Sequence, residues 1–344
     1  MLSEYDTAWS ELNTRLRGIE DSAGLGGALA ELQAHQQRTG FIEDRLEGVD
    51  RRTFHHPRDS SRFFRVQYNP KRALRFNGTG ITEPPAGIVV RNDGCFLCRD
   101  NIRWQQGGSQ LGYEVRIGET VYYAWMNPFP LLPTHIVVAT EAHTSQEWGY
   151  EYGGRRGKTM LLSDLVALAA RMPGYVGFYN GVDAGASIPG HMHLQFCQRP
   201  EDDPEFPLER AARVFEDSDQ GINFLSRYPV AAAVWRGAAA EVIEAASSWM
   251  SQWTHRNRDR LNNLTANFIA SKDQAGDGLS LYFVPRARGT SRVNGLHGLI
   301  GGLEILGEVV FSSPEEKKLL DDGAIDYFAL ASYLARVRTP MFLS

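Results

Sequence analysis

The chain has 344 residues, 42% hydrophobic and 22% charged, an ordinary globular composition. Its formal charge of −5 argues against a protein that coats nucleic acid or an anionic membrane, although one local cluster of arginines and amides suffices for a nucleotide-sized anion. No 18-residue apolar run and no apolar signal segment are present, and three cysteines are too few for a disulfide framework, so the expected location is the cytoplasm.

In chain order, residues 1–50 read as a helical extension. Leu12, Leu16 and Ile19 form one apolar stripe, and Leu29, Leu32 and Ile42 follow after a glycine-rich break. Residues 51–78 are basic, aromatic and extended. Strand signals follow: Ile88–Arg91 before a Cys95-Phe-Leu-Cys98 pair, two strands around a turn at Gly118, and a run over 135–140. Lys158 to Arg171 has helical spacing, and residues 175–181 and 191–199 read as a hairpin crossing the site. An acidic excursion on the surface is expected over 200–225, a helix over roughly 230–260, and strands at 261–271 and 279–288 flanking a turn at 275–278. A helix from Glu315 closes the chain. The order of hairpin, strands and helix occurs twice, which points to duplication without a residue-level repeat. The expected units are therefore 1–50, a half over 51–200 and a second half over 201–344.

The chemistry concentrates at Gly185-Ala-Ser187-Ile-Pro-Gly190-His191-Met-His193-Leu-Gln195. If residues 191–197 form a strand, His191, His193 and Gln195 share one face while Met192, Leu194 and Phe196 pack on the other. Three hydrogen-bonding groups alternating along an apolar strand are costly unless they meet a ligand or a metal. Gly181, Gly185 and Gly190 permit close backbone approach and Ser187 adds a hydroxyl, a cradle for phosphate oxygens. Cys95 and Cys98 have the spacing of metal or redox chemistry; a thioredoxin-like role is disfavoured because no helix with the right apolar pattern is expected after Cys98. Cys197 is expected to pack or to line the pocket.

This string resembles the His-x-His-x-Gln signature of the nucleotidyltransferase branch of the histidine-triad (HIT) superfamily, which includes galactose-1-phosphate uridylyltransferases, diadenosine tetraphosphate phosphorylases and GDP-hexose phosphorylases. Other segments agree. The Cys pair resembles the zinc segment of the uridylyltransferases, and Trp125–Pro130 with Pro133–Val138 resembles the superfamily's nucleotide pocket. Phe178-Tyr-Asn180-Gly resembles its phosphate-contacting turn, and Leu281–Arg286 with Asn294–Gly298 resembles the second half of the phosphorylases. Residues 60–310 carry the resemblance. One departure stands out: Ser187 lies four residues before the first motif histidine, one more than in the relatives.

The resemblance implies an α+β, HIT-like fold of two pseudo-symmetric halves, each an antiparallel sheet with helices on one face. It implies a nucleotidyltransferase of the phosphorylase type, with His193 as nucleophile toward a nucleoside diphosphate sugar or dinucleoside polyphosphate and with phosphate or a sugar phosphate as acceptor. Gln195, Asn180 and Ser187 would hold phosphate oxygens, and Asn127 would sit near the ribose or phosphate. Two arginine clusters, Arg65 with Lys71 and Arg75, and Arg286 with Arg288 and Arg292, are candidates to neutralise the departing group. Structural zinc would be held by Cys95, Cys98, His143 and His191, with His135 as the rival third ligand. Many relatives form homodimers. The competing readings are a HIT-type hydrolase, a non-catalytic zinc-braced nucleotide-binding module and a redox protein using the Cys pair.

Overall fold

The computed structural model describes residues 2–43, 46–77, 80–148, 157–214, 216–219, 222–225, 227–272 and 278–341. Helix α1 (Leu2–Arg38) opens the chain. Its apolar residues Tyr5, Trp9, Leu12 and Leu16 recur every three or four positions and are buried, the spacing that keeps one helical face on a core. At Gly24 the backbone turns to φ +75°, and Leu25, Ala28, Leu29 and Leu32 resume the buried stripe.

Strands β1 (Asp50–His56) and β2 (Asp59–Tyr68) form a hairpin, and β13 (Glu308–Phe311) joins β2 in parallel to make a three-stranded sheet. The main sheet has ten strands: β3 (Tyr113–Ile117), β4 (Thr120–Met126), β5 (Ile136–Thr140), β6 (Tyr175–Asn180), β7 (His193–Gln198), β8 (Glu216–Asp219), β9 (Ile222–Leu225), β10 (Ala233–Gly237), β11 (Leu264–Lys272) and β12 (Leu279–Ala287). Their spatial order is β3-β4-β5-β7-β6-β11-β12-β10-β9-β8, every described pairing within it being antiparallel. From either edge to the centre the two halves read alike, β3-β4-β5-β7-β6 against β8-β9-β10-β12-β11. Helix α3 (Gly157–Arg171) lies between β5 and β6 in sequence as α5 (Ala239–Arg256) lies between β10 and β11. This is the expected α+β, HIT-like pair of pseudo-symmetric halves, with the dyad between β6 and β11.

Helices α1, α3 and α5 cover one face of the sheet over a core that includes Leu194, Phe196, Phe268 and Phe283. The opposite face is not bare. The three-stranded sheet, α4 (Pro207–Val214), α6 (Gly302–Ile305), α7 (Pro314–Asp321) and α8 (Tyr327–Ala335) build a second core there, around Val176, Cys197, Ile269 and Val284. No helix among the described residues is long and apolar enough to cross a membrane.

Four local expectations change. Residues 233–237, read as helix from their alanine-rich context, form β10 because they pair with β12; strand pairing overrides a weak local propensity, and the helix begins only at Ala239. Residues 88–91 form no strand: Val89 lies 77% exposed, so the apolar run has no sheet to join. The 200–225 segment is not simply a surface excursion, since Phe206, Leu208 and Ala212 are fully buried around α4. Residues 70–77 tighten into a 3₁₀ helix after the extended stretch. The turn expected at 275–278 lies outside the described residues except for Gly278.

The hairpin that carries the motif depends on a close approach. A Cβ placed on Gly177 of β6 would sit 2.1 Å from the ring of Phe196, its partner on β7. Gly177→Ala is therefore expected to cost about 1–3 kcal/mol of stability through overpacking, measured as a lower midpoint in urea unfolding.

Candidate active site and metal centre

His193 begins β7, and period-2 alternation sends Leu194 and Phe196 into the helix-side core while His193 and Gln195 face the other way. They line a cavity of about 600 Å³, together with Trp125, Asn127, Asn180, Gly185, Ser187, Arg72 and Arg292 and, from the second half, Gly301, Gly302 and Glu304. His193 is 3% exposed. Its Nδ1 lies 2.7 Å from the His191 carbonyl oxygen, which can only accept, so Nδ1 carries the proton and Nε2 keeps a bare lone pair. Burial pushes the His193 pKa down to about 4, so the ring is neutral near pH 7.

Behind His193, the buried Gln146 makes three hydrogen bonds. Its Oε1 accepts from the His193 N–H at 2.7 Å, and its Nε2 donates to the carbonyls of His193 (3.0 Å) and Asn180 (2.9 Å). One side chain thus joins the two strands of the hairpin at the site. Gln195 is oriented by His135 of the Pro133–Val138 segment. The Leu131 N–H donates to His135 Nδ1 at 3.1 Å, so His135 carries its proton on Nε2 and donates it to Gln195 Oε1 at 2.9 Å. The Gln195 amide nitrogen is left as a donor on the cavity side.

Gly185 adopts φ +97°, and a Cβ there would lie 2.4 Å from the Gly301 Cα. The two halves therefore meet backbone to backbone at the edge of the cavity, a contact open only to glycine. Asn127 turns its Oδ1 onto the Phe129 N–H at 2.9 Å, which fixes its loop.

Of the sequence candidates, His193, Gln195, Asn127, Asn180, Gly185 and Ser187 converge on the cavity. Arg65, Arg286 and Arg288 do not line it. Arg65 is buried against Asp203 and the Glu205 carbonyl. Arg288 forms a two-pronged pair with Glu147 at 2.6 and 2.9 Å. Arg286 is fully buried in the second half. Of the two arginine clusters, Arg292 lines the cavity. Cys197 packs in the second core rather than at the site. Sequence reasoning missed Arg72, Gln146 and the Gly301–Gly302 pair; the adjacent glycines before Leu303 and Glu304 were the available signal.

Cys95, Cys98, His143 and His191 form one cluster, with their donor atoms within 4.8 Å of one another. His191 Nε2 lies 2.7 Å from the Thr140 carbonyl, so its proton sits there and Nδ1 faces the thiols, 3.4 Å from Cys95 Sγ and 3.5 Å from Cys98 Sγ. His143 Nδ1 lies 3.3 Å from both Cys98 Sγ and His191 Nδ1. These four side chains can hold a metal ion. His135 takes no part in the cluster, since both of its ring nitrogens serve the cavity wall. A short helix, α2 (Arg99–Gln105), does begin directly after Cys98, against the expectation; what separates the pair from a redox centre is the two imidazoles on its thiols.

The fold and the site together define a chain of two HIT-like halves with a buried histidine facing a cavity of about 600 Å³. Residues 32–198 match the family described as a domain of unknown function, DUF4922. No curated protein matches the chain by sequence. Among solved structures, yeast Ap4A phosphorylase in complex with AMP is 16% identical over 91% of this chain and 95% of its own, with a TM-score of 0.58. The same enzyme in complex with Ap4A is 15% identical over 91% and 97%, also at 0.58. An ADP-glucose phosphorylase from Arabidopsis thaliana with bound ADP-glucose is 14% identical over 84% and 99%, at 0.38. The chain shares the fold of the yeast phosphorylase.

Gln146→Leu removes all three hydrogen bonds at once and leaves the backbone groups of His193 and Asn180 buried without them. The expected result is a stability loss of about 2–3 kcal/mol, read by urea unfolding.

Proposed function

We propose that this protein is a nucleotidyltransferase of the phosphorylase type, acting on a dinucleoside polyphosphate or a nucleoside diphosphate sugar. The observation that carries the reading is His193: a buried, neutral imidazole whose Nδ1 proton is tied to a carbonyl, leaving Nε2 for a cavity walled by amide and arginine donors. The shared fold with an Ap4A phosphorylase over nine-tenths of both chains supports it.

In this reading His193 Nε2 attacks the α-phosphorus of the donor. A P–N bond forms, the P–O bond to the leaving group breaks, and the leaving group, a nucleoside triphosphate from diadenosine tetraphosphate or a sugar phosphate from a nucleoside diphosphate sugar, departs with the electron pair. Inorganic phosphate or a sugar phosphate then attacks the same phosphorus. The P–N bond breaks, and Nε2 recovers its lone pair. Such a transfer needs positioning and charge neutralisation more than covalent help. Gln195 and Asn180 give neutral N–H donors to the phosphate oxygens, Ser187 gives a hydroxyl, and Arg72 and Arg292 give positive charge. Asn127 lies at the ribose or phosphate end.

The metal in this reading is zinc. A tetrahedral zinc with bonds of about 2.0–2.1 Å to nitrogen and about 2.3 Å to sulfur needs ligand separations of roughly 3.3–3.8 Å; the His143–His191, Cys98–His143, Cys95–His191 and Cys98–His191 separations of 3.3 to 3.5 Å match it, and all four donor atoms lie within 4.8 Å of one another. The ion would brace the strand entry at His191, two residues from the nucleophile. Elemental analysis of the purified protein is expected to give about one zinc per chain, and Cys98→Ser to lower that content together with the melting temperature; a zinc-free protein of unchanged stability would remove the metal from the account.

With diadenosine tetraphosphate or a nucleoside diphosphate sugar as donor and ³²P-phosphate as acceptor, label is expected in the nucleoside diphosphate product. His193→Ala should lower the rate about a thousandfold or more. Release of unlabelled nucleoside monophosphate, independent of phosphate, would make the chain a hydrolase instead.

A further inference from the structure

The catalytic motif lies wholly in the first half, which leaves the second half to be explained. The β6–β11 pairing runs from Asn180↔Asn267 to Val176↔Ser271 and is centred on Phe178↔Ile269. Those two residues pair outward with Gln195 on β7 and Tyr282 on β12. The dyad therefore relates Gln195 to Tyr282 and His193 to Ser280. The second half has no imidazole at either position, a serine and a tyrosine standing there instead.

It does hold an arginine in an unusual setting. Arg286 of β12 is fully buried and makes no salt bridge among the described residues, the Glu304 carboxylate being the charge that acts on it from further off. Its Nη1 donates to Asn267 Oδ1 at 2.7 Å and to the Ile300 carbonyl at 3.1 Å, while Nε and Nη2 have no hydrogen-bond partner there. A buried, unpaired guanidinium is costly, and an apolar side chain would fill the space at lower cost.

What this arginine fixes is the direction of two amides. Arginine can only donate, so Asn267 must turn its Oδ1 toward it. That aims Asn267 Nδ2 at the Ala184 carbonyl, 2.8 Å away, and at Asn180 Oδ1, 2.9 Å away. The Gly302 N–H donates to the same Asn180 oxygen at 2.8 Å. With its oxygen held by two donors, Asn180 cannot flip without setting its NH₂ against both. Its Nδ2 is left beside Gly301, at the wall of the cavity.

We infer that Arg286 and Asn267 are positioning residues through which the second half locks the Asn180 carboxamide with its N–H groups toward the substrate phosphate. What the amide meets rests on the nucleotidyl-transfer reading; the direction it points is a property of the protein alone. Asn180 then matches Gln195, whose amide His135 turns the same way, so both carboxamides offer N–H donors to an anion in the cavity.

The test uses the full-length chain with Arg286→Met, Arg286→Lys and Asn267→Asp. Asn267→Asp keeps an acceptor for Arg286 but has no donor for Asn180, so it disturbs the lock while adding an ion pair that supports folding. In phosphorolysis, Arg286→Met and Asn267→Asp are expected to lower kcat by about 10- to 100-fold, less than the roughly 100- to 1,000-fold cost of deleting such a donor outright, because the donor stays and only its aim is lost. KM should stay within about threefold. Arg286→Lys, still a donor-only cation, should recover much of the loss. Independently of turnover, ¹H–¹⁵N spectra of the [¹⁵N]asparagine-labelled protein report the Asn180 side-chain amide, assigned by its disappearance in Asn180→Asp. That signal should move in Arg286→Met and return toward the wild-type position in Arg286→Lys. An Asn180 signal unmoved in Arg286→Met, or a kcat unchanged in both Arg286→Met and Asn267→Asp, overturns the inference. If wild type turns over no donor, the transfer reading falls, and the amide signal alone decides the lock.

Discussion

Two backbone carbonyls fix the chemistry of this site. The Thr140 carbonyl holds the proton of His191 on Nε2, and the His191 carbonyl holds that of His193 on Nδ1. Each imidazole is thereby left with one bare nitrogen, and the two point to different places: His191 Nδ1 to the thiols of Cys95 and Cys98, His193 Nε2 to the cavity. Had either proton sat on the other nitrogen, the bare lone pair would no longer face the thiols or the cavity. Gln146 completes the constraint by joining the backbone of His193 to that of Asn180.

The same logic extends to the neutral groups. An amide can present either its oxygen or its nitrogen to a ligand, and only its other neighbours decide which. Here a histidine of defined tautomer stands behind Gln195, and the Gly302 N–H and Asn267 stand behind Asn180. The wall is set in advance, so an anion bound there would ask for little reorganisation of these amides. The pseudo-symmetric sheet makes this possible by placing a second set of strands directly against β6.

Much of the site was legible in the sequence because strand alternation is strict. His193 and Gln195 on one face, with Leu194 and Phe196 on the other, follow from period 2 alone, and the glycines before them mark close backbone approach. The Cys pair was legible from spacing, its two histidines only through family resemblance. What could not be read depends on cross-strand register and distant packing. His135 looked like a rival metal ligand because nothing local shows that β5 sets it against Gln195. Arg65, Arg286 and Arg288 looked like phosphate ligands because charge shows in a sequence and burial does not. The alanines around Val234 read as helix because their partner strand lies almost fifty residues further on.

The central claim is that His193 becomes covalently nucleotidylated. Its most direct test is intact-protein mass spectrometry of wild type and His193→Ala, each incubated with diadenosine tetraphosphate or with ADP-, GDP- or UDP-sugars in the absence of any acceptor. The account predicts an acid-labile increase of one nucleoside monophosphate on wild type alone. No adduct from any donor on the folded protein, or the same adduct on His193→Ala, would contradict it.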